Sequence, residues 1–260
     1  MSDFSSIELV VLKDDEWFAR QKVAGKCVAS ILKEAGKLIE DQTPGLSLRD
    51  IENMALEKMK EQKCTPTFLN YEGFPSAICA SVNKGLVHGV VTDYELQPGD
   101  VVSIDLGATF EGAIADAART WIYGEPKNKK HVRLLECGMK ALQAGIGAVK
   151  IGEHLGSIGY AIHKYTKDTE FSSVVTYGGH GINYNEPHAD PFVANRQTKG
   201  SGIIMCNGLS IAIEPMLVIG SPRTKQNKDG HTIDTADIGC HFENSVTIMN
   251  DEIHVMTHYE

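Results

Sequence analysis

Residues 101–122, VVSIDLGATFEGAIADAARTWI, read as two β-strands folded back on one another at Phe110-Glu111-Gly112. β-Branched and small apolar residues fill both arms, which suits a buried pleated surface. With the turn centred between Phe110 and Glu111, paired positions sum to 221, and Asp105 directly faces Asp116. Opposed residues of an antiparallel pair approach to about 5 Å between Cβ atoms, where like charges repel. Most acids in strands lie on a wet face. These two sit inside Ser-Ile-Asp-Leu and Ile-Ala-Asp-Ala, runs in which a carboxylate would be buried. A buried, unpaired carboxylate is prohibitively costly, so Asp105 and Asp116 read as metal ligands.

Three further side chains share that context. His180 lies in YGGHGI, where flanking glycines let the backbone approach a ligand closely or adopt positive φ. Glu214 interrupts the apolar run Ile211–Leu217 beside Pro215, and Glu243 lies in His241–Val246. Four acids and one imidazole are the donors of a two-metal hydrolytic site, in which carboxylates bridge ions roughly 3.5–4 Å apart. His88 in VHG and His188 in NEPHADP are candidate acid/base or substrate-binding groups, although alone each would read as a loop histidine. No HExxH pair, GxSxG elbow, P-loop or GxGxxG turn is present, which removes helical zinc-protease, serine-hydrolase and nucleotide-binding readings.

The 260 residues suffice for one large domain, and the net charge of −9 argues against a general nucleic-acid or anionic-membrane surface. No run approaches the ~18 apolar residues of a membrane span, and the N-terminus lacks the basic leader and apolar core of a secretory signal. Six cysteines without a CxxC pair suggest reduced thiols and a cytoplasmic location. Helices are expected over residues 14–39, from Ser47 (with Asp50 completing a near capping box) to Lys60, from Asn128 to about Ala148 with a break at Gly145 and Gly147, and over 153–167. Strands are expected at 77–82, 173–177, 209–219 and 241–249, and residues 221–235 read as a long hairpin loop. Each half is helix, helix, then strands. Gly99 stands six residues before Asp105, as Gly208 stands before Glu214. This is the pattern of a single domain, residues 1–260, with an internal pseudo-repeat of about 14–125 and 127–257.

Together NYEGFPSAICASVN with its following VHG, IDLG with IADAART, GHGI, HADP, IAIEPM and FENSVTI resemble the type 1 methionine aminopeptidases. These belong to the wider pita-bread family that also holds Xaa-Pro peptidases and creatinase. The resemblance runs from about residue 8 to 257. It implies an α+β, pita-bread fold whose pseudo-twofold halves pack helices on a curved antiparallel sheet. It implies two divalent ions (cobalt, manganese, iron or zinc) held by Asp105, Asp116, His180, Glu214 and Glu243. It also implies removal of the N-terminal methionine from nascent polypeptides when the second residue is small. By the same resemblance His88 and His188 touch the substrate or its tetrahedral intermediate, and Glu214 shuttles the proton. Tyr71, Phe74 and Cys79 line the methionine pocket, a setting in which sulfur–aromatic contacts favour a thioether. The ribosome is the expected partner, with no specific nucleic acid, no membrane and a monomeric state.

The chain departs from the common pattern at four positions. His188 follows His180 by eight residues, not seven; Pro187 stands where an aromatic often does; His231 replaces a frequent tryptophan; Lys84 replaces an acid. The first three bear on the shape of the methionine pocket. The rival readings are an Xaa-Pro peptidase of the same fold, a pita-bread protein reduced to binding, and a mononuclear iron oxygenase. The second should lack ligands that this chain keeps, and the third would leave three acids unexplained.

Overall fold

The computed structural model describes residues 10–258, so the first nine residues of the N-terminal stretch lie outside the described residues. Among the described residues there are four α-helices: α1 (Asp15–Glu40), α2 (Leu48–Glu61), α3 (Lys129–Ile146) and α4 (Gly156–Thr166). Asp14 caps α1 by accepting from the Trp17 amide at 2.8 Å. The Ser47/Asp50 pair forms a reciprocal capping box on α2, as the sequence suggests. Gly145 does not break α3. It sits inside the helix, where a Cβ would lie 3.0 Å from side-chain atoms of both Ile162 and Ile213, and the helix ends at Gly147.

Among the described residues all strand pairs are antiparallel. A four-stranded sheet joins Thr65–Pro66, Asp100–Phe110, Cys79–Val82 and Ala113–Tyr123, and α1 and α2 pack against it to enclose one apolar core that includes Ile31, Leu32, Ile51, Ile104 and Leu106. A five-stranded sheet orders Glu252–Val255, Asn244–Met249, Ser210–Ile213, Gly179–Asn183 and Glu186–Val193. With the three-stranded set Gly239–His241, Met216–Ile219 and Phe171–Ser173 it packs under α3 and α4, around Leu134, Leu142, Ile158 and Ile213. Among the described residues no helix is long and apolar enough to cross a membrane.

Three expectations need correction. The 101–122 hairpin turns at Glu111-Gly112, both at positive φ (48° and 83°), so Asp105 pairs with Ala118 and Asp116 with Gly107. A two-residue turn of this hand matches strand twist, which a turn at Phe110-Glu111 would not. The pairing shifts by two residues, which preserves the face, and the two acids become diagonal neighbours. Second, Leu209–Ile219 is two strands in different sheets: the interruption that Pro215 signals in the sequence divides it at Glu214-Pro215 into Ser210–Ile213 and Met216–Ile219, which pair with different partners, because proline has no amide to continue the ladder. Third, His180 lies inside a strand, Gly179–Asn183, which forms a hairpin with Glu186–Val193 that the sequence reading did not anticipate. The strand expected at 241–249 likewise splits, at Phe242-Glu243, into Gly239–His241 and Asn244–Met249 of different sheets. The other boundaries shift modestly: α4 starts at Gly156, not Glu153, and the segment expected at 173–177 is a strand only over Phe171–Ser173. Residues 221–235 do form a hairpin, pairing Thr224–Gln226 with Ile233–Thr235.

The two halves meet where Ala113–Tyr123 runs beside residues 241–245. The join is made by buried hydroxyls. Ser245 Oγ accepts from the Asp116 amide at 2.9 Å and donates to the Asp116 carbonyl at 2.8 Å. Thr120 Oγ1 treats His241 the same way, at 2.9 and 2.8 Å. Between these clasps the Glu243 amide donates directly to the Ala118 carbonyl at 2.9 Å. The pairs Asp116–Ser245, Ala118–Glu243 and Thr120–His241 step along the two segments in opposite directions, two residues at a time. An antiparallel correspondence, bridged by hydroxyls and not by a strand ladder, thus crosses from one half to the other. Arg119, also buried, donates to the carbonyls of Ala118 and Glu243 and, at 2.9 Å, to Asn244 Oδ1.

Candidate active site

The seam fixes where the acids stand. Cys79 pairs with Asp105, Asp105 with Ala118, and Ala118 is bonded to Glu243, so these four form one row across the strands. The next row is Gly107, Asp116 and Ser245. Each acid therefore has a small neighbour in its row, and the space above the rows stays open. Gly107 has a second reason to lack a side chain: its Cβ would lie 2.9 Å from Thr67 and 3.1 Å from the Phe68 ring. Glu214 reaches the same point from the break between two strands, where Asn195 Nδ2 donates to its carbonyl at 3.0 Å.

His180 completes the group. Its Nε2 lies 3.5 Å from Glu214 Oε1, 3.8 Å from Asp116 Oδ2 and 3.9 Å from Glu243 Oε1. Its Nδ1 is 3.1 Å from the Gly181 carbonyl, a contact that turns Nε2 toward the acids. The glycines around it serve close packing and do not adopt positive φ. A Cβ on Gly179 would lie 2.1 Å from the Ala212 carbonyl oxygen, and one on Gly181 would lie 2.0 Å from that of Asp190.

All ten residues singled out in the sequence line one cavity of about 340 Å³: Tyr71, Phe74, Cys79, His88, Asp105, Asp116, His180, His188, Glu214 and Glu243. At one side Phe68, Phe74 and Cys79 form an apolar cluster. His188 packs its ring edge-on to His180 at 4.6 Å and to Tyr71 at 5.3 Å between centroids. The extra residue before His188 has not carried it away: the hairpin slips register twice, and such bulges re-aim side chains. His231 meets Phe74 edge-on at 5.4 Å, in the wall of the same cavity.

The sequence reading missed Phe68 and His241. His241 is buried, and its Nε2 lies 3.1 Å from Glu214 Oε2. Its position two residues before Glu243, on the same face of the strand that the sequence suggests at 241–249, was the available signal.

The electrostatics record an uncompensated cluster of acids. Burial, aided by Asp116 and Glu214 and opposed by His241, pushes Asp105 up to about 7. Burial and Asp116 push Glu214 up to about 8 against the pull of His180. Glu243 is raised well above the carboxylate range by burial and then by Asp116, Glu214 and Asp105. Burial also raises the Cys79 thiol, so it stays protonated, a compact apolar group. His88 and His188 are lowered to about 4, first by the protein crowded around the rings, although His188 keeps an exposed edge on its strand, and then by neighbouring histidines, so both are neutral at pH 7.

The sequence model of metallopeptidase family M24 matches residues 19–250. The chain belongs to metallopeptidase family M24. Within that family it lies with the methionine aminopeptidases. It is 37% identical over 254 residues to the methionine aminopeptidase of Mycoplasma capricolum, covering 97% of this chain and 100% of that one. The crystal structure of methionine aminopeptidase from Thermotoga maritima superposes with a TM-score of 0.91 at 33% identity, over 96% of this chain and 100% of that one. The prolidase of Pyrococcus furiosus shares the fold, with a TM-score of 0.73 at 22% identity, over 97% of this chain and 66% of that one. The architecture is the pita-bread fold.

An M24 metallopeptidase binds divalent metal, and the residues present fit one. Among the described residues, Asp105 Oδ1 and Asp116 Oδ1 are buried without a hydrogen-bond partner, a state that a cation would relieve. His180, Glu214 and Glu243 offer ligand atoms within 4.8 Å of one another, as do Asp116, His180 and His188. Oxygen-rich donors with one or two imidazoles suit manganese, iron, cobalt or zinc.

Proposed function

We propose that this protein removes the N-terminal methionine from polypeptides whose second residue is small, using two divalent ions held by Asp105, Asp116, His180, Glu214 and Glu243. The observation that carries this reading is the union, in one cavity, of a buried acid nest with an apolar aromatic-and-thiol wall. Held by those five side chains, divalent ions would supply Lewis acidity and would lower the pKa of a coordinated water toward neutrality.

The chain's own groups do the rest. Phe68, Tyr71, Phe74 and Cys79 receive the thioether side chain, for which sulfur–aromatic contacts are favourable. Glu214, against His241 and His180, takes the proton from water and delivers it to the leaving amine. His188, neutral and so able to donate one N–H, stabilises the oxyanion at the scissile carbonyl, and His88 holds the substrate by a hydrogen bond. The halves 14–125 and 127–257 act as one catalytic domain, each supplying ligands. The same reading takes the protein to work as a cytoplasmic monomer on nascent chains at the ribosome.

Hydrolysis of Met-Ala-Ser, Met-Leu-Ser and Ala-Pro-Ala by metal-loaded protein, with metal counted on the same sample, tests the reading. We expect two equivalents of metal, rapid cleavage of Met-Ala-Ser and little of the others. Bulk at the second residue would displace the carbonyl from attack geometry, and small misplacements cost large rate factors. Preferential cleavage of Ala-Pro-Ala would favour the Xaa-Pro alternative, and metal binding without hydrolysis would leave a binding protein.

A further inference from the structure

A second cavity of about 330 Å³ adjoins the first and shares His88, His180, His188 and Glu214 with it. Beyond these it runs between Thr176-Tyr177-Gly178 and the residues Ala189, Asp190 and Phe192. The Glu186–Val193 strand that bounds it is the edge strand of the five-stranded sheet. Burial alternates along that strand: Pro187, Pro191 and Val193 turn inward, while Glu186, His188, Asp190 and Phe192 share the exposed face.

Two side chains on this face are unexplained by the reaction. Phe192 is 52% exposed, a large ring left uncovered at a cavity wall. The Asp190 carboxylate accepts no hydrogen bond and makes no ion pair among the described residues, and no lysine or arginine lines the cavity. Strand rise is roughly 3.3 Å per residue, which sets Asp190 about 7 Å beyond His188, the span of two extended substrate residues. With the methionine in the first cavity and His188 at the scissile carbonyl, the third substrate residue arrives beside Asp190.

We propose that the second cavity is a subsite for the third and following residues of a polypeptide substrate, in which Asp190 selects lysine or arginine and Phe192 packs on the aliphatic stem. The inference deepens the aminopeptidase reading and rests on it. An exposed ion pair is a weak discriminator, so the selection is modest and fades in salt. In 50 mM salt, kcat/KM should fall in the order Met-Ala-Lys-Ala, Met-Ala-Ala-Ala, Met-Ala-Glu-Ala, with about two- to five-fold between neighbours. Asp190→Asn should bring the three peptides to within experimental error of one another. Phe192→Ala should raise KM for the lysine peptide while kcat holds. Equal rates in the wild type, or an order that survives Asp190→Asn, would overturn the subsite and leave the aminopeptidase reading intact. Metal-loaded protein that fails to cleave Met-Ala-Ala-Ala at all would remove that reading, and the subsite with it.

Discussion

Ser245→Ala is the most direct test of the seam between the halves. Ser245 is fully buried, and its hydroxyl both accepts from the Asp116 amide at 2.9 Å and donates to the Asp116 carbonyl at 2.8 Å. Alanine removes one oxygen and creates almost no cavity, so the cost comes from two backbone groups left unpaired in a dry interior. Each such group costs about 1–3 kcal/mol, and partial relaxation toward one another brings the expected total to roughly 2–4 kcal/mol. In a domain of this size 1 kcal/mol moves the melting temperature by about 2–4 °C, so Ser245→Ala should melt roughly 5–15 °C lower. The same loss frees the Asp116 backbone, so affinity for divalent metal should fall as well. Urea unfolding of metal-free protein gives the first quantity, and calorimetric titration with manganese gives the second. A variant within 0.5 kcal/mol of wild type and with unchanged metal affinity would show that the clasp does not hold the site together.

Other predictions concern the acids and histidines themselves. Asp105→Asn should lose most of its bound metal and all turnover, yet metal-free it should be more stable than wild type above pH 7, because it removes a carboxylate whose ionisation the buried site resists; full metal occupancy in an active variant would contradict this. In chelator, the raised Asp105 and Glu214 contribute stability that is complete below their unfolded values near 4 and is lost as pH rises through about 7 and 8. The lowered His88 and His188 act oppositely, but only below their ordinary value of 6.5, so melting temperature should fall from pH 6.5 to 8 and added metal should flatten that slope; a rise over the same interval would refute the account. His188→Ala should keep both metal equivalents and lose roughly 10²–10³ in kcat, the cost of one oxyanion donor; a change in KM alone would reduce His188 to a binding residue.

Much of this was legible in the chain because burial of charge is a local statement. Asp105 and Asp116 are each flanked directly by apolar residues, and a carboxylate buried there needs a cation whatever the fold. Glu214 was marked in the same way, and Pro215 beside it marked the ladder's end. The Ser47/Asp50 box and the helical stretches likewise depend on neighbours within a turn or two, so their positions came close. What the sequence could not decide was whatever depends on a partner far along the chain. The hairpin's register turned on which two residues took positive φ, and a one-residue error in the turn moved every pair by two. The hairpin carrying His180 and His188 is glycine- and proline-rich and breaks its own register, so although burial alternates along Glu186–Val193, its two prolines and the glycines facing it argued against a strand. Phe68 and His241 enter the cavity only because Gly107 leaves room for the first and the Thr120 clasp seats the second. The residue types that need a metal are written in the sequence. That they meet at one point follows from a register that crosses from one half to the other through two buried hydroxyls, which exists only once both sheets are in place.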